Sequence, residues 1–185
     1  MMIKPFLFAS AAAVGLLAGC ATEANRVPEP TYETAAKSEF VATNYRVADA
    51  LIAQFGSGAE GGPLIVATVV NIDALDQSST LGRLISEQVS ARFSQRGFSM
   101  VEMKFRSNVY MKRGEGELIL TREITEVARV NKAQAVILGS YGMSGAAVYV
   151  NMKIVQPGTN YVLAAYDYVL PSNNEIRSML TRANR

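Results

Sequence analysis

Histidine is absent from all 185 residues, which narrows the chemistry open to every other polar side chain. A serine nucleophile needs a base to take its proton, and with no imidazole only a Ser–Lys pair could serve; no spacing in the chain proposes one. Most zinc sites likewise lose their usual ligands. Asp73 and Asp76 sit close together beside Asn71. Two carboxylates can do acid/base work or hold a cation, but calcium takes about six or more oxygens and the apolar neighbours do not supply them. The pair is expected to be solvent-facing turn residues. Gly56-Ser-Gly58-Ala-Glu-Gly61 matches the glycine pattern of dinucleotide-binding turns. That turn works only when it follows a strand and opens a helix, so that the helix N-terminus meets the pyrophosphate. Here the surrounding pattern runs helix, glycines, strand, so a connector is expected. Gly62 stands where a phosphate-binding loop would need lysine. The expectation is a chain with no catalytic, cofactor-binding or metal-ligating residues.

One residue does have chemistry written into its context. The sequence opens with a basic start at Lys4 and an apolar run from Phe6 to Leu17, then Ala18-Gly19-Cys20. A basic start, a short apolar stretch and small residues before a cut are the parts of a secretory signal. The run is shorter than the ~20 residues that span a bilayer as a helix. Leu17-Ala18-Gly19-Cys20 resembles a bacterial lipobox. That resemblance implies a diacylglycerol on the Cys20 sulfur, cleavage before Cys20, and acylation of the new amine, with palmitate as an expected chain. One acyl chain binds a membrane marginally and two bind it firmly. Ala21 follows the cysteine where an Asp would mark inner-membrane retention in enteric-type sorting, so the periplasmic face of the outer membrane is expected. A lone Cys also excludes an intramolecular disulfide framework.

Residues 1–19 read as signal peptide. Residues 20–43 are polar, with Pro28 and Pro30, and read as a lipidated flexible tether, although Phe40 and Val41 could pack at its end. The domain is expected over 44–185. A first helix is predicted from Asn44 to Phe55, with Val47, Leu51 and Phe55 on one face and Ala48 and Ile52 beside them. Leu64 to Val70 is an unbroken apolar, β-branched run typical of a strand buried on both faces. Ser78-Ser79-Thr80 offers N-cap chemistry for a helix whose core residues would be Leu81, Leu84, Ile85, Val89 and Phe93, stopped at Arg96-Gly97. Phe98 to Phe105 should be a strand, and 114–120 a turn with a short strand. Thr121 should cap a helix that turns Ile124, Val127 and Ala128 inward, and Ala135–Leu138 should form another buried strand.

Beyond Gly145 the period becomes two. Val148, Val150, Met152 and Ile154 alternate with more polar neighbours, Pro157 to Asn160 turns the chain, and Tyr161 to Val169 returns. Asn173 to Arg182 should close the chain as a short helix. Strands separated by helices, ending in an antiparallel hairpin, predict a single α/β domain of α+β-like character with a mixed sheet and helices packed on it. Tyr141, Tyr149, Tyr161, Tyr166 and Tyr168 concentrate in this last part. They fit either a recognition surface or ordinary strand packing.

The net charge is +2, with basic and acidic residues interleaved, so no nucleic-acid partner is expected. From about Tyr45 to Pro171 the chain resembles the FlgO family of flagellum-associated outer-membrane lipoproteins. The residues that carry the likeness are Asn71-Ile-Asp-Ala-Leu-Asp-Gln-Ser-Ser79 running into Leu81-Gly-Arg-Leu-Ile-Ser-Glu-Gln88, Gly97-Phe98, and Gly116-Glu117 with Leu120-Thr-Arg-Glu123. Ala135-Val-Ile-Leu-Gly-Ser-Tyr141 and Val148-Tyr-Val-Asn-Met-Lys153 complete them. The family more often has Ser at the place of Thr121 and Thr at that of Ser140, and both exchanges keep a hydroxyl. The resemblance implies an α/β domain on the inner face of the outer membrane that helps flagellar assembly or stability. It implies partners among flagellar or other envelope proteins, with oligomerisation open, and supplies no catalytic residue. Domains of this shape also resemble those of curli-secretion and Tol-type periplasmic proteins, so a general envelope-assembly or secretion accessory is the alternative. A hydrolase using Asp73 and Asp76 is a third reading.

Overall fold

In a computed structural model of the chain, residues 31–33, 37–56, 61–75, 77–102 and 125–181 are described. The fold belongs to the unit Lys37–Arg185. It runs α1 (Glu39–Phe55), β1 (Leu64–Val66), β2 (Val70–Asn71), α2 (Thr80–Gln95) and β3 (Met100–Glu102). Helix α3 (125–130) follows, then β4 (Ala135–Ser144), β5 (Ala147–Val155), β6 (Val162–Pro171) and α4 (Asn174–Thr181).

The strands form one mixed sheet in the order β3-β1-β4-β5-β6, with β2 also on β4. β1 pairs in parallel with β3 and β4, and β4, β5 and β6 form an antiparallel meander. The single α/β domain with a mixed sheet expected from the sequence is what the chain forms. The C-terminal hairpin is also present, and β4 extends it to three strands by running on through Ser144.

Helices α1 and α2 lie on one face of the sheet and enclose the main core with α4. Val47, Ala48 and Leu51 of α1 and Leu81, Ile85, Val89 and Phe93 of α2 meet Ile137, Val150, Met152, Ile154 and Leu170 there. The edge-on contact of Phe93 with Phe98, at 5.4 Å between ring centroids, closes this core beside β3. On the opposite face a smaller cluster joins Ile65, Ala67 and Val136 to Ala128 of α3, with Val127 and Leu138 beside it. Strand β1 is therefore buried on both sides, as its apolar run requires.

Three expectations are corrected. The first helix starts at Glu39, five residues before Asn44, because the Ser38 hydroxyl accepts the Phe40 N–H and Phe40 is itself buried in the core. Leu84 is not a core residue. It lies on the flank of α2 and is exposed, while Leu81, Ile85, Val89 and Phe93 hold the buried stripe. The run from Leu64 to Val70 is not one strand. Val66 pairs with Ile137 and Val70 with Ser140, so 66–70 contains one residue more than the facing 137–140, a bulge that splits the run into β1 and β2. The strand after α2 covers Met100–Glu102; Phe105 lies outside the described residues. The 114–120 turn and strand, Thr121, Ile124, Arg182 and most of the 20–43 tether lie outside them too. Among the described residues no helix is long and apolar enough to cross a membrane.

Candidate functional site

Of the residues singled out for chemistry, Gly56, Gly61, Gly62, Asn71 and Asp73 are described. Gly56 has φ +85° and ends α1 by donating its N–H to Ile52 O, so it is a helix C-cap, a position that favours glycine. A strand follows at Leu64. The glycine-rich turn thus has the helix-to-strand order that the connector reading anticipated; Ser57 to Glu60 lie outside the described residues. Asp73 is exposed, and its backbone N–H is accepted by the Asn71 side chain at 3.0 Å, a local turn contact. Asp76 lies outside the described residues, and so does Cys20. Among the described residues no three acidic or thiol side chains gather where they could hold a metal.

Three serines around the start of α2 do structural work. Ser79 is the N-cap of α2, its hydroxyl accepting the Gly82 N–H. Ser78 donates to Val69 O at 2.7 Å. Buried Ser86 accepts the Val69 N–H at 2.8 Å, and its own proton is within reach of Gly82 O at 3.0 Å and Ala67 O at 3.3 Å. These hydroxyls take up the backbone groups that the bulge removes from the strand ladder. Gly82 lets the first turn of α2 sit on the bulge. A Cβ there would lie 2.1 Å from Val69 O. None of this was visible from periodicity, because bulge and unbroken strand share one apolar pattern.

A polar triad ties three elements together inside the main core. Asn44 of α1, fully buried, donates to Gln88 Oε1 on α2 at 2.6 Å and accepts from the Tyr168 hydroxyl of β6 at 2.7 Å. Burial pushes the Tyr168 hydroxyl well above the ordinary tyrosine range, so it remains a donor. At the outer edge of the two helices, Asp49 takes a forked contact from Arg92 (Nη2–Oδ2 2.7 Å, Nε–Oδ1 3.0 Å) and a third from Arg96 Nε at 2.8 Å. The two guanidinium groups hold the Asp49 carboxyl well below the usual carboxylate range. Arg92 also stacks over the Tyr45 ring, 5.2 Å from its centroid. These contacts join α1 to the C-terminal end of α2.

The tyrosines divide by burial. Tyr141 is buried and Tyr168 half-buried in the core, whereas Tyr149, Tyr161 and Tyr166 are exposed. Tyr149 belongs to the face of the meander opposite α1 and α2. Helix α3 covers that face only near Val136 and Leu138, so the outward side of β5 and β6 is open among the described elements. Among the described residues the largest uncovered part of the sheet is this face, and it carries Tyr149 and Val169.

The described elements define a small mixed α/β domain. The family model described as FlgO protein matches residues 45–175, nearly the whole of this domain. The chain belongs to the FlgO family. A comparison with curated proteins gives no match. Among solved structures the chain is similar to the C-terminal domain of LpoB from Salmonella enterica, with 16% identity, a TM-score of 0.50, and coverage of 72% of this chain and 98% of that one. The corresponding domain from Escherichia coli gives 11% identity at the same TM-score and coverages. A lipoprotein from Neisseria meningitidis, GNA1162, is more distant, at 13% identity and a TM-score of 0.43, covering 65% of this chain and 91% of that one. At these identities the first two likenesses establish a shared fold.

Proposed function

We propose that this chain is a lipid-anchored, non-enzymatic protein of the bacterial outer membrane, facing the periplasm, that supports assembly or stability of the flagellum. The observation that carries the proposal is the match of the FlgO model to residues 45–175. The lipobox-like Leu17-Ala18-Gly19-Cys20 supplies the anchor, with the signal peptide ending at Gly19 and the lipid on Cys20. Ser78, Ser79, Ser86 and Asp49 are committed to a cap, a bulge and helix pairing, which fits a domain that works through its surface.

Feeding cells an alkyne-tagged palmitate tests the anchor. Label should appear in the wild-type chain and vanish in Cys20→Ala; equal labelling of both would remove the anchor from the account. The flagellar role is tested by deletion, which should abolish or impair swimming. A second reading, a general envelope-assembly or secretion accessory, is favoured by one observation: the same fold occurs in the LpoB C-terminal domain. Normal flagella in the deleted strain, with crosslinks to other envelope proteins, would select that reading.

A further inference from the structure

The open face of the meander has a definite pattern. Strand register lays out rows across it. Ile72, Gly142, Tyr149 and Val169 form one row, since Gly142 faces Tyr149, Tyr149 faces Val169, and Ile72 follows the Asn71–Tyr141 pair beside Gly142. Ile72, Tyr149 and Val169 are 58%, 56% and 53% exposed. The next row is Ser140, Asn151 and Asp167, with Asn151 donating to the Asp167 carboxylate, and the third is Leu138, Lys153 and Ala165. Lys153 and Asp167 are the two charges that β4, β5 and β6 place on this face, and they lie on adjacent rows of adjacent strands. Neither has an ionic partner among the described residues.

Such a surface is complementary to itself. Two opposite charges flank a line between β5 and β6, with an apolar row to one side. A twofold axis along that line lays Tyr149 of one copy on Val169 of the other, and brings Lys153 within one row of the opposing Asp167. Two sheets stacked this way keep their strands nearly aligned, the ordinary arrangement of packed sheets about 10 Å apart. Edge-to-edge pairing is disfavoured, because Gln54 of α1 already occupies the free edge of β6 at Ala165. We infer that a second copy of this chain docks on the open face of β5 and β6, through the row of Tyr149 and Val169 and reciprocal Lys153–Asp167 pairs.

The test is sedimentation of the full chain, extracted from its membrane in detergent, with charge reversals on the face. The wild type should be a dimer. Lys153→Asp or Asp167→Lys alone should weaken it about tenfold or more, since each places two like-charged contacts in the interface. The double reversal should restore wild-type dimerisation, and Val169→Glu should give monomers. Thermal melting checks that each variant is folded. A wild type that is monomeric at every concentration overturns the inference. So does a dimer indifferent to these changes, or a double reversal that fails to restore what each single one removes. The readout is mass, independent of motility and of the flagellar reading.

Discussion

Ser86 illustrates how a buried polar side chain is used by the fold. Its hydroxyl sits where the bulge between β1 and β2 leaves the Val69 N–H without a strand partner. Ser86→Ala should cost about 1–3 kcal/mol, the usual range for leaving a buried donor unsatisfied, and chemical denaturation would read the loss. Asp49 makes a pH-dependent contribution whose sign follows from its depressed ionisation. The folded state holds the carboxylate charged, so its stabilisation is fully present above the unfolded value of about 4 and is lost as pH falls toward the lower folded value. Asp49→Asn should therefore cost about 1 kcal/mol at neutral pH, the scale of a partly exposed ion pair, and progressively less below about pH 4. A pH series of melting temperatures for both proteins checks it. The tyrosines show where reading from residue types stops. Alternation with Val148 and Val150 already places Tyr149 on the outward side of β5, but nothing local pairs Tyr168 of β6 with Asn44 of α1.

At the scale of elements, α2 was legible from its periodicity and its Ser79 cap, and β5 from strict alternation. Both have one polar and one buried side, so periodicity reports them. The bulge did not announce itself, because residues 64–69 are almost uniformly apolar and a break in the ladder changes none of their types. Phe40 and Val41 were legible as residues that could pack, but the start of α1 was not, because the mostly polar and small residues before them carry no helical apolar period. Leu84 misled because helical spacing alone does not separate the flank of a stripe from its centre. The edge strand β6 has a further device. The Gln54 amide donates to Ala165 O at 3.1 Å and accepts the Ala165 N–H at 3.2 Å, imitating a neighbouring strand at one position. By the antiparallel alternation the other outward backbone groups belong to Leu163, Asp167 and Val169. Gln54→Ala should lower stability by about 1 kcal/mol and raise the rate of aggregation on mild heating, since it uncovers an apolar edge. Unchanged light scattering during the same ramp would show that the amide does not protect the edge.

For the molecule as a whole, the class of fold was readable and the strand order was not. Alternating helices and strands followed by a two-period hairpin call for a mixed sheet with helices on it, but nothing local states that β1 lies between β3 and β4. The family likeness was carried by residues with structural duties. Ser78 and Ser79 frame the start of α2, Ser86 and Gly82 seat that helix on the bulge, and Gly139 lies where a Cβ would meet Val69 Cγ2 at 2.9 Å and Asn151 O at 3.1 Å. Such residues keep a fold recognisable without fixing its partner, which is why membership of the FlgO family is secure and the flagellar role is a proposal. The most direct measurement is a clean deletion in the native cell, scored for swimming and for flagella by electron microscopy, and complemented by wild type and by Cys20→Ala. Swimming should be lost or impaired, restored by wild type and not by Cys20→Ala. Normal swimming with normal flagella in the deleted strain would contradict the flagellar role.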